Sequence, residues 1–87
     1  MKIREGYVVK EIAGAFYAVP TVKNPKIGNG MIKLNETAYF IWKKLEEGVE
    51  AGEIAEQLSD EFDVDEESAK RDVSAFVAKL VDYDIVK

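Results

Sequence analysis

The sequence predicts a single α+β domain in which three short strands precede three helices. Three observations carry that prediction. Runs of β-branched and aromatic residues, punctuated by turn residues, occupy 6–34. Apolar residues at helical spacing occupy 35–83. The chain has 87 residues, enough for one domain and too few for two.

Tyr7 to Ile12 is rich in β-branched and aromatic residues, Ala13-Gly14 follows, and Ala15 to Val19 is apolar again. Two short runs about a glycine-containing turn predict a β-hairpin. Gly14 can take the positive φ such a turn needs, whereas Ala13 does so only at a cost. Neither run alternates cleanly, so the hairpin's faces stay unassigned at this level. Pro20 ends the second strand. Thr21 to Gly30 is loop chemistry throughout, with Pro25, Gly28, Asn29 and Gly30. Met31-Ile32-Lys33-Leu34 predicts a third strand, with Ile32 and Leu34 on one face and Met31 and Lys33 on the other.

Asn35 is a good N-cap and Glu36 suits the first turn of a helix. Ala38, Ile41, Trp42 and Leu45 follow helical spacing, and Gly48 stops the helix. Ala51, Ile54, Ala55, Leu58 and Phe62 form a second amphipathic stripe. Asp65 caps a third helix, with Glu66 and Glu67 in its first turn. Ala69, Val73, Phe76, Val77 and Leu80 make its inner face. Asp84 suits the left-handed turn after it, and Ile85-Val86 returns to the body. The tight junction between the last two helices suggests a helix-turn-helix arrangement with a β element alongside.

Composition excludes several functions. There is no cysteine and no histidine. Disulfides, thiolate nucleophiles, the commonest zinc ligands and the usual general base at neutral pH are therefore absent. No cofactor and no metal is expected. The acidic run Asp60-Glu61, Asp63, Asp65-Glu66-Glu67 lacks the glycine hinge and terminal bidentate Glu of a calcium loop, and reads as helix capping and solvation. Gly28-Asn29-Gly30 precedes a strand rather than a helix, so it reads as a turn and not as a phosphate cradle. With 17 acidic residues in the chain, chance carboxylate pairs are inevitable and carry no catalytic signal. Trp42 shares the stripe of Ala38, Ile41 and Leu45, so it belongs to the core and not to a base-stacking platform. Tyr39 and Phe40 lie off the centre of that stripe, and one of the two is expected to cover the sheet.

The net charge of −5 disfavours phosphate backbones and anionic membranes. A DNA-reading third helix needs a basic or amide-rich outer face. Lys70, Arg71 and Lys79 are outweighed there by Asp65, Glu66, Glu67, Asp72 and Asp82. A winged-helix nucleic-acid binder is thus the alternative reading, and no nucleic-acid partner is expected. The first residues, Met1 to Gly6, show no signal-peptide pattern, and nothing approaches the roughly 20 apolar residues of a membrane span. The expected setting is cytoplasmic, with no membrane partner.

The helical half resembles the PqqD family, named from pyrroloquinoline quinone (PQQ) biosynthesis, and the wider set of precursor-peptide recognition elements. The shared pattern is Leu34-Asn35, Ile41-Trp42, Leu45 and Gly48, then Glu53-Ile54-Ala55, Leu58 and Phe62. It closes with Val64-Asp65, Asp72-Val73, Phe76-Val77, Leu80 and Ile85-Val86. The resemblance spans roughly residues 6–87, and the strand half matches only in kind. Two departures stand out. Glu50 replaces the Ser or Thr that often caps the second helix in that family, and Asp84 replaces the usual Gly after the third.

This resemblance implies a winged-helix-like fold, a three-stranded antiparallel β-sheet followed by three α-helices. It implies a non-enzymatic module that captures the leader segment of a ribosomally made precursor peptide. The leader adds as a strand to the exposed edge of the third strand, beside a groove along the third helix. An edge strand offers unpaired backbone groups to an extended peptide, so the physics agrees. The second partner implied is a modifying enzyme, often a radical SAM enzyme in this family. The expected peptide-binding residues are Met31, Ile32, Lys33 and Leu34, with a groove wall on the Lys70, Ser74, Val77 and Val81 side of the third helix. Asp72 and Lys79 flank the other side. A second reading of Val77 and Val81 has them packing under Ile85 and Val86. The chain is expected to be a monomer or a weak homodimer, since an exposed edge can also pair with a second copy.

Overall fold

A computed structural model describes residues 2–27 and 30–86. Gly28 and Asn29, read above as a turn, lie outside the described residues. Strands β1 (Tyr7–Ile12), β2 (Ala15–Pro20) and β3 (Ile32–Leu34) form one antiparallel sheet in the order β1-β2-β3. Helices α1 (Glu36–Glu46), α2 (Ala51–Phe62) and α3 (Glu66–Asp82) follow. The expected order of elements is the observed one.

Ile12 pairs with Ala15, leaving Ala13-Gly14 as a two-residue hairpin loop. Ala13 has φ 53° and Gly14 φ 82°, the double positive φ of a type I′ turn, so the cost foreseen at Ala13 is incurred. Pro20 closes β2 opposite Tyr7. The following loop holds one 3₁₀ turn, Pro25–Ile27. Asn24 ties that loop down by donating from Nδ2 to the Tyr7 hydroxyl at 2.7 Å and to the Tyr83 carbonyl at 2.8 Å. Met31 lies outside the ladder and is exposed, so the third strand is one residue shorter than expected.

Pairing assigns the faces that sequence alternation left open. Opposed residues share a face, so Val9, Ala18 and Ile32 lie on one side with Tyr7, Phe16 and Leu34. That side packs on the helices. Tyr39 stacks on Phe16 with ring centroids 4.1 Å apart, and Trp42 meets Tyr7 edge-on at 6.3 Å. Val8, Lys10, Ile12, Tyr17 and Lys33 point the other way.

The core joins Ala18, Ile32 and Leu34 of the sheet to the helical stripes, with Trp42, Leu45, Ile54, Leu58, Ala69 and Leu80 almost fully buried. Phe76 is only half-buried, at the border of the α3 stripe rather than in it. Each helix end has a local cause. Asn35 accepts a bond from the Ala38 amide at α1, and Asp65 from the Ser68 amide at α3. Gly48, at φ 83°, ends α1 in a Schellman turn, in which the Gly48 amide donates to Leu45 and the Val49 amide to Lys44. Glu50 begins α2 without a side-chain cap. Ile85 and Val86 are buried, and the chain start is drawn to them. The Arg4 amide donates to the Ile85 carbonyl at 2.7 Å, and Ile3 bridges Val86. No helix among the described residues is long and apolar enough to cross a membrane.

Candidate functional site

The order β1-β2-β3 leaves an open edge on both β1 and β3, and β3 is the edge strand that runs straight into a helix. Antiparallel ladders alternate bonded and non-bonded pairs. A two-residue hairpin makes its closing pair a bonded one, so Ile12–Ala15, Lys10–Tyr17 and Val8–Val19 exchange hydrogen bonds. The remaining β2 residues point their backbone groups at β3. Pro20, which has no amide hydrogen, falls at a position where β1 needs none. Phe16–Leu34 and Ala18–Ile32 are then the bonded pairs, and Tyr17–Lys33 is the non-bonded one. The amide and carbonyl of Lys33 therefore point away from the sheet. Lys33 is the β3 residue that offers an incoming strand a donor and an acceptor together.

Leu34 passes into the Asn35 cap without a linker, so the first turn of α1 stands beside the end of β3. Asn35, Thr37 and Ala38 there line one cleft with Asp72, Phe76 and Lys79 of α3. The Thr37 hydroxyl donates to Asn35 Oδ1 at 3.0 Å, which fixes that corner. Phe76 supplies an apolar wall, and Asp72 and Lys79 place opposite charges along it. An extended chain laid on β3 would have this cleft on its helix-facing side.

The residues singled out from sequence are not all brought together. Ile32 and Leu34 are 6% and 2% exposed, so they contribute backbone while their side chains fill the core. Met31 and Lys33 are exposed on the edge. Lys70 and Ser74 line a different cleft, with Ala51, Gly52 and Ala55 of α2. Val77 is buried with Ile85 and Val86, whereas Val81 is 53% exposed and does not pack away beneath them. The flank of α3 that borders α1 is thus that of Asp72 and Lys79, not that of Lys70 and Ser74. The reason is the packing of α3 on α2 through Ala69, Val73, Val77 and Leu80, which turns the Lys70 flank toward the start of α2. Periodicity locates the centre of a stripe but not the neighbour on each flank. The direct Leu34-Asn35 junction was the available signal, since it sets the first turn of α1, which shares the cleft with α3, at the end of β3.

Among the described residues no cluster of three or more Asp or Glu is placed to hold a metal. The described ion pairs, Arg4–Asp84, Lys43–Glu46 and Lys44–Glu47, lie away from this cleft.

An open three-stranded sheet backed by three helices, with a bare edge beside a helical cleft, defines a class of small α+β domains. Within that class this chain belongs to the family described as coenzyme PQQ synthesis protein D (PqqD), whose family model matches residues 6–86. No curated protein matches the sequence. Two solved structures share the fold. One, described as TbiB1 in complex with the TbiA(beta) leader peptide, is 25% identical, with TM-score 0.78, covering 100% of this chain and 95% of that one. The other, described as lasso peptide synthetase B1 complexed with the leader peptide, is 23% identical, with TM-score 0.76, covering 99% and 95%.

Proposed function

We propose that this chain is a non-catalytic module that captures the leader segment of a ribosomally made precursor peptide and presents it to a modifying enzyme. The observation that carries the proposal is the outward-facing backbone of Lys33 on a bare edge strand beside the α1–α3 cleft. The TbiB1 structure, which holds a leader peptide on this fold, supports the same reading. The peptide adds to β3 through Lys33, with Met31 and Asn35 flanking, and its helix-facing side chains enter the cleft of Ala38, Phe76 and Lys79. Family membership is the ground for a radical SAM enzyme as the second partner, and for cytoplasmic work where precursors are made.

The test is calorimetry with synthetic leader segments of short candidate precursor peptides from the same genome, and circular dichroism to confirm folding. Lys33→Pro removes the outward amide and is expected to lower affinity at least tenfold with the helices intact, since proline is tolerated at a sheet edge but cannot donate. Phe76→Ala and Lys79→Glu are expected to weaken binding, and Ser74→Arg to leave it unchanged. Loss with Ser74→Arg and none with Lys79→Glu returns the wall to the Lys70–Ser74 flank. If Lys33→Pro binds like the parent, strand capture on β3 is wrong.

A further inference from the structure

The charge of this molecule is divided between its halves. Residues 1–35 carry six Lys or Arg against two Asp or Glu, and residues 36–87 carry six against fifteen. The basic half is the sheet. On its outer face the strands bring Lys10, Tyr17 and Lys33 into one cross-strand row, because Lys10 pairs with Tyr17 and Tyr17 with Lys33. That face carries no carboxylate among the strand residues, since Glu11 alternates to the other side. Neither lysine makes an ion pair among the described residues.

A strand added to β3 extends this row. Whether it runs parallel or antiparallel, its residue opposite Lys33 lies on the same face, with Cβ atoms about 4.5–5.5 Å apart. Its two neighbours point to the helix side, over Phe76 and the cleft. The position opposite Lys33 thus meets an exposed ammonium, whose nearest cross-strand neighbours are a phenol and a second lysine. Opposite charges directly across a ladder attract, and like charges repel. Lysine or arginine in the ligand would be disfavoured there, and aspartate or glutamate favoured.

We propose that β3 selects a leader segment with an acidic residue opposite Lys33, flanked on both sides by apolar residues. This rests on the strand-capture reading and adds the charge of one ligand position to it. Lys33 is then a specificity-determining residue through its side chain, beyond the backbone role that any residue at this position would fill.

The probe is a library of random peptides displayed on phage, selected against the intact domain, Lys33→Glu, Lys33→Pro and Lys23→Glu. Lys23 lies in the same basic half but outside the row, so its variant controls for the general field. The parent pool is expected to show Asp or Glu between apolar neighbours, enriched about threefold or more. The Lys33→Glu pool is expected to replace that acid with Lys or Arg, and the Lys23→Glu pool to keep it. Equal preferences in the parent and Lys33→Glu pools overturn the proposal, and so does a Lys23→Glu pool that shifts as far as Lys33→Glu. Lys33→Pro separates the two levels. Selected peptides that bind it as well as the parent, or a failure to select any peptide, sink strand capture itself. Peptides lost with Lys33→Pro but indifferent to Lys33→Glu sink only the acidic position.

Discussion

Trp42 is fully buried, yet its indole N–H is not stranded, because Nε1 donates to Glu46 Oε2 at 3.0 Å one turn along α1. It therefore satisfies both demands of a core tryptophan, apolar packing and a partner for its polar atom. Trp42→Ala is expected to cost about 3–5 kcal/mol, a large share of the roughly 5–10 kcal/mol such a domain has. Urea unfolding followed by circular dichroism measures it. A variant with unchanged midpoint would place the ring outside the core. Ala13 presents the reverse case, a residue tolerated rather than chosen. At φ 53° its Cβ opposes the backbone, while Asn suits that first position of a type I′ turn. Ala13→Asn is expected to stabilise the domain by about 0.5–1 kcal/mol, read as a higher melting temperature. Both residues were legible in the sequence, because each is constrained within one turn of its own neighbourhood.

At the scale of elements, the helices are held by unequal devices. α3 begins at Asp65, whose carboxylate accepts from Ser68, and these bonds lower its pKa below the usual aspartate value. A lowered folded pKa means that the cap contributes fully above the ordinary value of about 3.9 and is lost as pH falls through the lower folded one. Acidification below that point is expected to fray the first turn of α3, seen as lower amide protection factors at Ser68 and Ala69 relative to their intrinsic exchange rates at each pH. In Asp65→Asn the acid dependence at these amides should vanish. If both proteins respond alike, the cap is not the titrating group. The left-handed residue Asp63, at φ 54°, closes α2 before this cap. Its side chain gave no signal of that, since an aspartate in an acidic run has many ways to be solvated. β3, only three residues long, keeps the exposed edge short and charged, which limits unwanted pairing with other edges.

For the whole molecule, the opposed charges of the two halves decide which partners approach where. The helix-turn-helix pair that would have to read DNA lies in the acidic half. A duplex DNA fragment is expected to bind weakly and without sequence preference at physiological salt, measured by fluorescence anisotropy. Tight sequence-selective binding would restore the nucleic-acid reading. If the β3 edge captures an acidic peptide as proposed, the basic sheet half steers it there, and raising the salt concentration should slow association more than dissociation. Ile3 and Arg4, anchored on Val86 and Ile85, also help to hold the sheet half to the helical half.

The order of elements, the helix starts at Asn35 and Asp65, the stop at Gly48 and the burial of Trp42 were all legible in the amino-acid sequence. Each depends on signals spaced within a helical turn or a hairpin, where covalent geometry ties cause to effect. Tertiary structure alone decided which backbone groups of β3 face outward, because that follows from the pairing register passed on from the Ala13-Gly14 turn through β2. It alone also decided which flank of α3 lines the cleft. The buried stripe of Ala69, Val73, Val77 and Leu80 fixes how far α3 is turned inward. Only its packing against α2 fixes that Phe76 and Lys79, and not Lys70 and Ser74, stand beside the start of α1.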